Sequence, residues 1–310
     1  VKELRKKHLR LPVIMFSYLT QRGVVTTMDA LAAGASDYVA KPANVSSASA
    51  GRARVRDELI PKIKALCGLK ESLTASASFS RASLVRPQPL LASAGASSSR
   101  RVDILAIGVS TGGPNALAEL IAGIPADFPI PIVIVQHMPP VFTRLLADRL
   151  NVASALTVRE GVVGEELKRG VAWLAPGDYH MVLEKTAGGA RIALNQQPPE
   201  NSCRPAVDPL FRSVVQIYGA ATLGVILTGM GQDGLKGCEK IAEAGGQILA
   251  QDEASSVVWG MPGLVARAGL AEKVLPLNQI AGEITRRVWI GRERLSVQKW
   301  HIGIHGHLGR

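Results

Sequence analysis

Three short loops carry side chains that could together cleave an acyl bond. GVSTGGP sets Ser110 directly after the apolar run DILAIGV. QHMPP puts His137 at the end of PIVIVQ, and TGMGQDG puts Asp233 in a glycine-rich turn after TLGVIL. A hydroxyl, an imidazole and a carboxylate in hydrogen-bonding order are a nucleophile, a base and an orienter. Each residue alone has a plainer reading. Ser110 can cap a tight turn, His137 can be a satisfied histidine at a strand end, and Asp233 can be an ordinary turn aspartate. Gly108, Gly112 and Gly113 could also cradle a phosphate, but their spacing fits neither a P-loop nor a dinucleotide fingerprint. Position is what raises the combination. Each residue stands just past the carboxyl end of a separate expected strand, the edge where open α/β sheets bind ligands. The helix expected after Pro114 aims its N-terminal N–H groups at the same edge, which suits a developing anion. The chain order Ser–His–Asp is no obstacle, because triads are defined by geometry.

The elements around these loops read as strand–turn–helix, repeated from Arg101 onward. RVDILAIGV, PIPIVIVQHM, ATLGVILTGM and GQILAQD are apolar strands; NALAELIAGI, VFTRLLADRL, PLFRSVVQIYG, GLKGCEKIAEAG and MPGLVARAG are helices. Short β-type pieces fill roughly 155–195. Strands alternating with helices imply a doubly wound, mainly parallel sheet covered on both faces. Ahead of it, LPVIMFS reads as a buried strand and SDYVAKPAN as a second one ending in a Lys-Pro turn. TTMDALAAGA between them has helical spacing, with Met28, Leu31 and Ala32 on one face and Gly34 as the stop. RDELIPKIKALC is an amphipathic helix that Pro61 either interrupts or starts. Residues 71–100 are rich in Ser, Ala and Pro and read as an interdomain linker, partly disordered. The domain expectation is therefore 1–70, a linker at 71–100, the main α/β domain at 101–290 and a frayed tail at 291–310.

Composition removes several function classes. Hydrophobic residues make up 47% and charged residues 20% of the 310-residue chain, which is globular. No uncharged apolar run reaches the roughly 18 residues of a bilayer span, so membrane insertion is not expected. VKELRKKHLR has no apolar core behind its charges and is no secretory signal. Three scattered cysteines (Cys67, Cys203, Cys238) fit neither a disulfide framework nor a zinc site, and point to a reducing cytoplasm. The net charge of +11 could signal nucleic acid, but residues 101–290 hold 16 Lys and Arg against 18 Asp and Glu. The basic excess sits at the two ends rather than on one folded face, so no nucleic-acid partner is expected. His301, His305 and His307 have no Cys or carboxylate beside them, and no metal is assigned to them.

GVSTGGP, QHMPP, NSCRPAVDPLF, LTGMGQDG and DEASSVVWGMPGLVARAG, in this order, resemble the catalytic domain of the chemotaxis protein-glutamate methylesterases, the CheB family, across about residues 101–290. The resemblance implies Ser110 as nucleophile, His137 as general base and Asp233 as its partner. It further implies Thr111, Gly112 and the backbone N–H of Met230 near the oxyanion. Arg204 would orient an acidic receptor segment, or else be a structural surface arginine. Trp259 and Met261 would pack near the cleft. The implied substrate is a methylated glutamate on the cytoplasmic helices of a methyl-accepting chemoreceptor. Receptor glutamines would be deamidated in the same site, with no cofactor and no metal. A serine hydrolase of small esters or amides, or a binding protein without catalysis, are the competing classes.

FSYLTQRG and DALAAGASDYVAKPAN resemble the second half of a flavodoxin-like response-regulator receiver. Ser17 matches its switch hydroxyl and Lys41, before Pro42, its phosphate-contacting lysine. Lys41 is otherwise a surface lysine beside a turn. The acidic pocket and phospho-accepting aspartate would lie before Val1, and Asp29 and Asp37 match neither. The chemotaxis histidine kinase is the implied partner of the full-length family. A half receiver is expected to pack poorly, because its strand faces lack partners.

Overall fold

A computed structural model describes residues 1–18, 20–41, 48–68 and 100–304; for 48, 50, 54, 291 and 293–304 only the backbone is described. Pro42, the linker read at 71–100 apart from Arg100, and the side chains of His301, His305 and His307 lie outside the described residues.

The N-terminal unit is small. It runs α1 (Lys2–Lys7), β1 (Ile14–Ser17), α2 (Gln21–Ala32), β2 (Asp37–Ala40) and α3 (Ala48–Leu66), with β1 and β2 parallel. Thr20 starts α2 by accepting the Gly23 N–H on its hydroxyl, and Gly34 at φ +99° follows the helix end. Three sequence expectations are corrected here. LPVIMFS is not a buried strand: Phe16 is 46% exposed, because among the described residues β2 is the only strand paired with it. Pro61 neither starts nor stops its helix, since α3 begins at Ala48 and passes through it. The face of α2 differs too, with Val24, Thr27, Met28, Ala30 and Leu31 inside and Ala32 outside.

The main unit follows as β3 (Ile104–Val109), α4 (Gly113–Ala122), β4 (Ile132–Gln136), α5 (Phe142–Ala153), β5 (Thr157–Glu160), β6 (Val171–Leu174), β7 (His180–Thr186) and β8 (Gly189–Asn195). It continues as α6 (Val207–Tyr218), β9 (Thr222–Ile226), α7 (Leu235–Glu243), β10 (Gln247–Gln251), α8 (Met261–Arg267), β11 (Lys273–Leu275) and α9 (Leu277–Ile304). Seven strands form one parallel sheet in the order β11-β10-β9-β3-β4-β6-β5. The antiparallel hairpin β7–β8 stands apart and is tied to α6, where the Ser213 hydroxyl accepts the Leu183 N–H.

Every residue of β3 and β4 is buried because helices cover both sheet faces. Leu105, Ile107 and Ile134 face one core; Ile104, Ala106 and Val133 face the other. The chain turns from one side of β3 to the other between β4 and β9, so β3 is the topological switch point.

The N-terminal unit shares the first of these cores. Val24, Met28, Leu31 and Tyr38 belong to the same cluster as Leu117, Phe142 and Leu146, and the Tyr38 and Phe142 rings stack at 4.5 Å. Poor packing therefore describes β1 but not the inner face of α2. At the other end, Ile280, Ile284 and Val288 bury one stripe of α9, and the helix continues past residue 290 to Ile304. Arg292 donates to Asp103 at 3.2 Å, so the start of the segment read as a tail is anchored to the domain.

Candidate active site

The sheet brings Ser110 and His137 side by side. Val109↔Gln136 is the last registered pair of β3 and β4, and the two residues leave the sheet one place further on. Neighbouring strands lie about 4.8 Å apart, so the backbones emerge as close neighbours. The loop bearing Asp233 follows β9, on the opposite flank of β3.

The backbone of each loop is fixed. The Ser110 N–H donates to Thr228 O at 3.0 Å, and the His137 N–H to Val109 O at 3.3 Å. The buried Gln136 amide joins the two loops from beneath, donating to Ser110 O at 3.0 Å and His137 O at 3.3 Å. Gly113 is required above it, because a Cβ there would sit 1.8 Å from Gln136 Oε1. Gly112 caps α4 at φ +79°, a left-handed geometry that glycine adopts without penalty. A Cβ on Gly229 would lie 2.8 Å from Ser110 Cβ and 2.5 Å from Met261 Sδ. Gly229→Ala is therefore expected to displace Ser110. Ester turnover should fall by roughly 10²-fold, as misplacements of about 1 Å do, while the far-ultraviolet circular dichroism stays native. Unchanged turnover would contradict this packing argument.

His137 Nε2 and Asp233 Oδ2 are 2.8 Å apart. The Asp233 carboxylate also accepts the N–H groups of Val207 (2.6 Å), Asp208 (3.1 Å) and Gly234 (3.0 Å), and Asn201 Nδ2 (3.0 Å). Surrounded by donors, it acts as an acceptor, which assigns a proton to His137 Nε2. Asp233 thus caps the N-terminus of α6. Asp208 in turn caps α7, accepting the Gly237 N–H at 2.7 Å, and shares the Asn201 amide at 3.0 Å. The other ring nitrogen of His137, Nδ1, lies 3.5 Å from Cys203 Sγ. Ser110 Oγ has no hydrogen-bond partner among the described residues.

The electrostatics follow from burial and these contacts. Burial pushes His137 down, but the Cys203 side chain and Asp233 outweigh it and raise the imidazole to about 10. Burial raises Asp233, yet the bond and charge of His137 and the N–H groups of Val207 and Asp208 hold it below the usual carboxylate range. Asp208 is held high by burial and by the neighbouring Asp233 charge. One carboxyl of the pair is kept ionised beside the imidazole, and its neighbour is disfavoured as an anion.

The remaining expected residues are placed as follows. The Thr111 hydroxyl donates to Asp37 Oδ2 at 2.8 Å, so in this arrangement it serves the N-terminal unit. Met230 lies between Gly229, whose carbonyl accepts the N–H groups of Gly260 and Met261, and Gly231 at φ +94°. Arg204 is committed within the chain: Nε and one terminal nitrogen bond Asp178 (3.1 and 2.6 Å), the other bonds Gln196 O and Gln197 O (both 3.1 Å). That guanidinium clamps a loop with four of its five N–H donors. Trp259 Nε1 donates to Gln251 O at 2.9 Å, with Arg267 stacked 5.2 Å from the ring. Ser17 bonds Gly23 O at 3.1 Å, and Lys41 Nζ rests 4.3 Å over the Tyr18 ring, both far along the chain from the triad loops.

Sequence reasoning passed over Gln136, Asn201, Cys203, Asp208 and Asp37. NSCRPAVD held the needed signal, because polar residues crowd the start of a helix whose N-terminus must be capped.

A family model of the CheB methylesterases matches residues 105–284, more than half of the chain. The chain belongs to that family. A protein-glutamate methylesterase/protein-glutamine glutaminase of Trichodesmium erythraeum is 52% identical over 93% of this chain and 81% of its own length. One from Caulobacter vibrioides is 47% identical over 89% of this chain and 78% of its own. The crystal structure of the Thermotoga maritima CheB methylesterase catalytic domain superposes with a TM-score of 0.59 at 45% identity, covering 60% of this chain and 98% of that one. This CheB-family chain is thus a hydrolase, a protein-glutamate methylesterase/protein-glutamine glutaminase of chemotaxis, and its seven-stranded parallel sheet is the family's catalytic domain. Among the described residues no helix is long and apolar enough to cross a membrane.

Proposed function

We propose that Ser110, His137 and Asp233 carry out this hydrolysis on the cytoplasmic helices of a methyl-accepting chemoreceptor. The observation that carries the reading is the 2.8 Å His137–Asp233 bond beside an unengaged serine hydroxyl at the switch point of the sheet. Ser110 attacks the γ-carbonyl of a glutamate methyl ester. His137 takes the serine proton and delivers it to the departing methanol. Asp233 keeps the ring oriented and stabilises the imidazolium. Water then releases the acyl group through the same histidine, and for a receptor glutamine the leaving group is ammonia. In this reading the start of α4 at Gly112 and the Met230 N–H stabilise the developing oxyanion, joined by Thr111 once its hydroxyl leaves Asp37. These side chains suffice without metal or cofactor.

The test is methanol release from methylated receptor against release from a generic chromogenic ester. A strong preference for the receptor supports the reading; equal turnover favours a small-ester hydrolase. The same assay has a defined pH dependence. An imidazole held near 10 is protonated at neutral pH and cannot accept the serine proton, so kcat/KM should climb from pH 7 toward 10. A plateau reached near pH 6.5 would contradict it.

The N-terminal unit, residues 1–70, is in this reading the second half of a receiver, joined through a linker at 71–100 to a catalytic domain at 101–290, whose last helix runs on into the segment 291–310. Its strand–helix–strand order, with Ser17 and Lys41 at the strand ends, supports that assignment. The histidine kinase of chemotaxis is the partner such a receiver serves, and the cytoplasm is the compartment of both.

A further inference from the structure

Neither ring nitrogen of His137 is bonded to Ser110 in this structure. Nε2 is given to Asp233 at 2.8 Å, and Nδ1 meets Cys203 Sγ at 3.5 Å, within hydrogen-bond range for sulfur. Nδ1 is the nitrogen left for the nucleophile. With the proton on the thiol, Nδ1 accepts it; with the proton on the ring, Nδ1 is a donor without a lone pair; either way Ser110 meets no free acceptor there.

We propose that Cys203 is a positioning residue that holds the Nδ1 face of His137 in the resting enzyme and yields it to Ser110 during turnover. This rests on Ser110 being the nucleophile and His137 its base. Cys203 is not a loose neighbour. Asn201 and Ser202 before it are at φ +51° and +62°, a left-handed pair that non-glycine residues adopt only where the surroundings impose it. The turn is closed by Glu200 N–H to Cys203 O (3.1 Å) and Cys203 N–H to Glu200 O (2.8 Å). Glu200 is anchored to Arg212 on α6 through two bonds, at 2.9 and 2.5 Å. The same turn sends Asn201 to Asp233 at 3.0 Å. One rigid segment therefore grips the His–Asp pair at both ends.

The ionisable side chains in contact with the ring are Asp233 from the loop after β9 and Cys203 from the turn before α6, with Asp208 behind Asp233. Removing the sulfur frees Nδ1 and removes one of the two partners that favour the protonated ring. The effect is consequently opposite to that of losing a catalytic group, and activity at neutral pH should rise.

The experiment uses the full chain and a fluorophosphonate that labels Ser110, together with the acid limb of kcat/KM for methanol release. Cys203→Ala and Cys203→Val should each label about five-fold faster than wild type at pH 7, the size of one lost hydrogen bond. Both should move the acid limb to lower pH. Cys203→Ser, which restores a hydrogen-bonding group at the same place, should return the labelling rate to within about two-fold of wild type. Two apolar variants of different size keep the test alive if one fails to fold. Labelling that is unchanged or slower in the apolar variants, with the acid limb in place, overturns the Cys203 assignment while leaving the triad intact. No labelling of Ser110 in any of the proteins overturns the triad, and this inference with it.

Discussion

Ser110→Ala is expected to reduce methanol release from methylated receptor by roughly 10⁶-fold in kcat. The hydroxyl has no partner in the fold among the described residues, so its removal leaves no buried group unsatisfied. Thermal stability should therefore stay within about 0.5 kcal/mol of wild type, as for a neutral substitution. Ammonia release from receptor glutamines should vanish in parallel, because in the proposed mechanism both leaving groups are expelled from a tetrahedral adduct on Ser110 to give the same acyl-enzyme. A variant that keeps either activity near the wild-type rate would remove Ser110 from the mechanism. A variant that loses one activity and keeps the other would require two sites.

Asp233→Asn should behave differently, losing activity and stability together. The carboxylate accepts four hydrogen bonds besides the one with His137, from Val207, Asp208, Gly234 and Asn201. An amide has a single oxygen and must turn its NH₂ toward at least one of these donors or toward the imidazole N–H. If it faces His137, the ring adopts the wrong tautomer, and kcat should drop by about 10⁴-fold. If it faces α6, the helix loses its cap at about 1–2 kcal/mol, which lowers Tm by roughly 2–8 °C in a domain of this size. Assay and melting curve together check both halves. Turnover within ten-fold of wild type would mean that Asp233 does not orient the base.

Much of this arrangement was legible from residue order. Apolar runs of five or six residues followed by Ser110, His137 and Asp233 place all three at one edge of a parallel sheet, and the register Val109↔Gln136 brings the first two side by side. The contacts that make the site work were harder to foresee. Asn201 and Cys203 reach the His–Asp pair from a turn whose left-handed residues, Asn201 and Ser202, are not glycines, and Asp208 reaches it from the first turn of α6. Arg204 drew attention as a charged residue in a loop; four of its five N–H donors go to Asp178, Gln196 and Gln197, partners that no composition signal announces. Burial also departed from pattern where partners were few. Phe16 is apolar and exposed because its sheet has two strands, and Pro61 lies within a helix that a rule about isolated helices would have broken.

The apolar surface that α2 shares with α4 and α5 has a consequence for the enzyme in concentrated solution. Val24, Met28, Leu31 and Tyr38 are buried in the same cluster as Leu117, Phe142 and Leu146. Parting the two units would wet both halves of that cluster at once and leave the Thr111 hydroxyl and Asp37 to water. Bared oily faces of this kind attract one another. An opened molecule would thus acquire a tendency to clump, and dilution would be what keeps it dispersed.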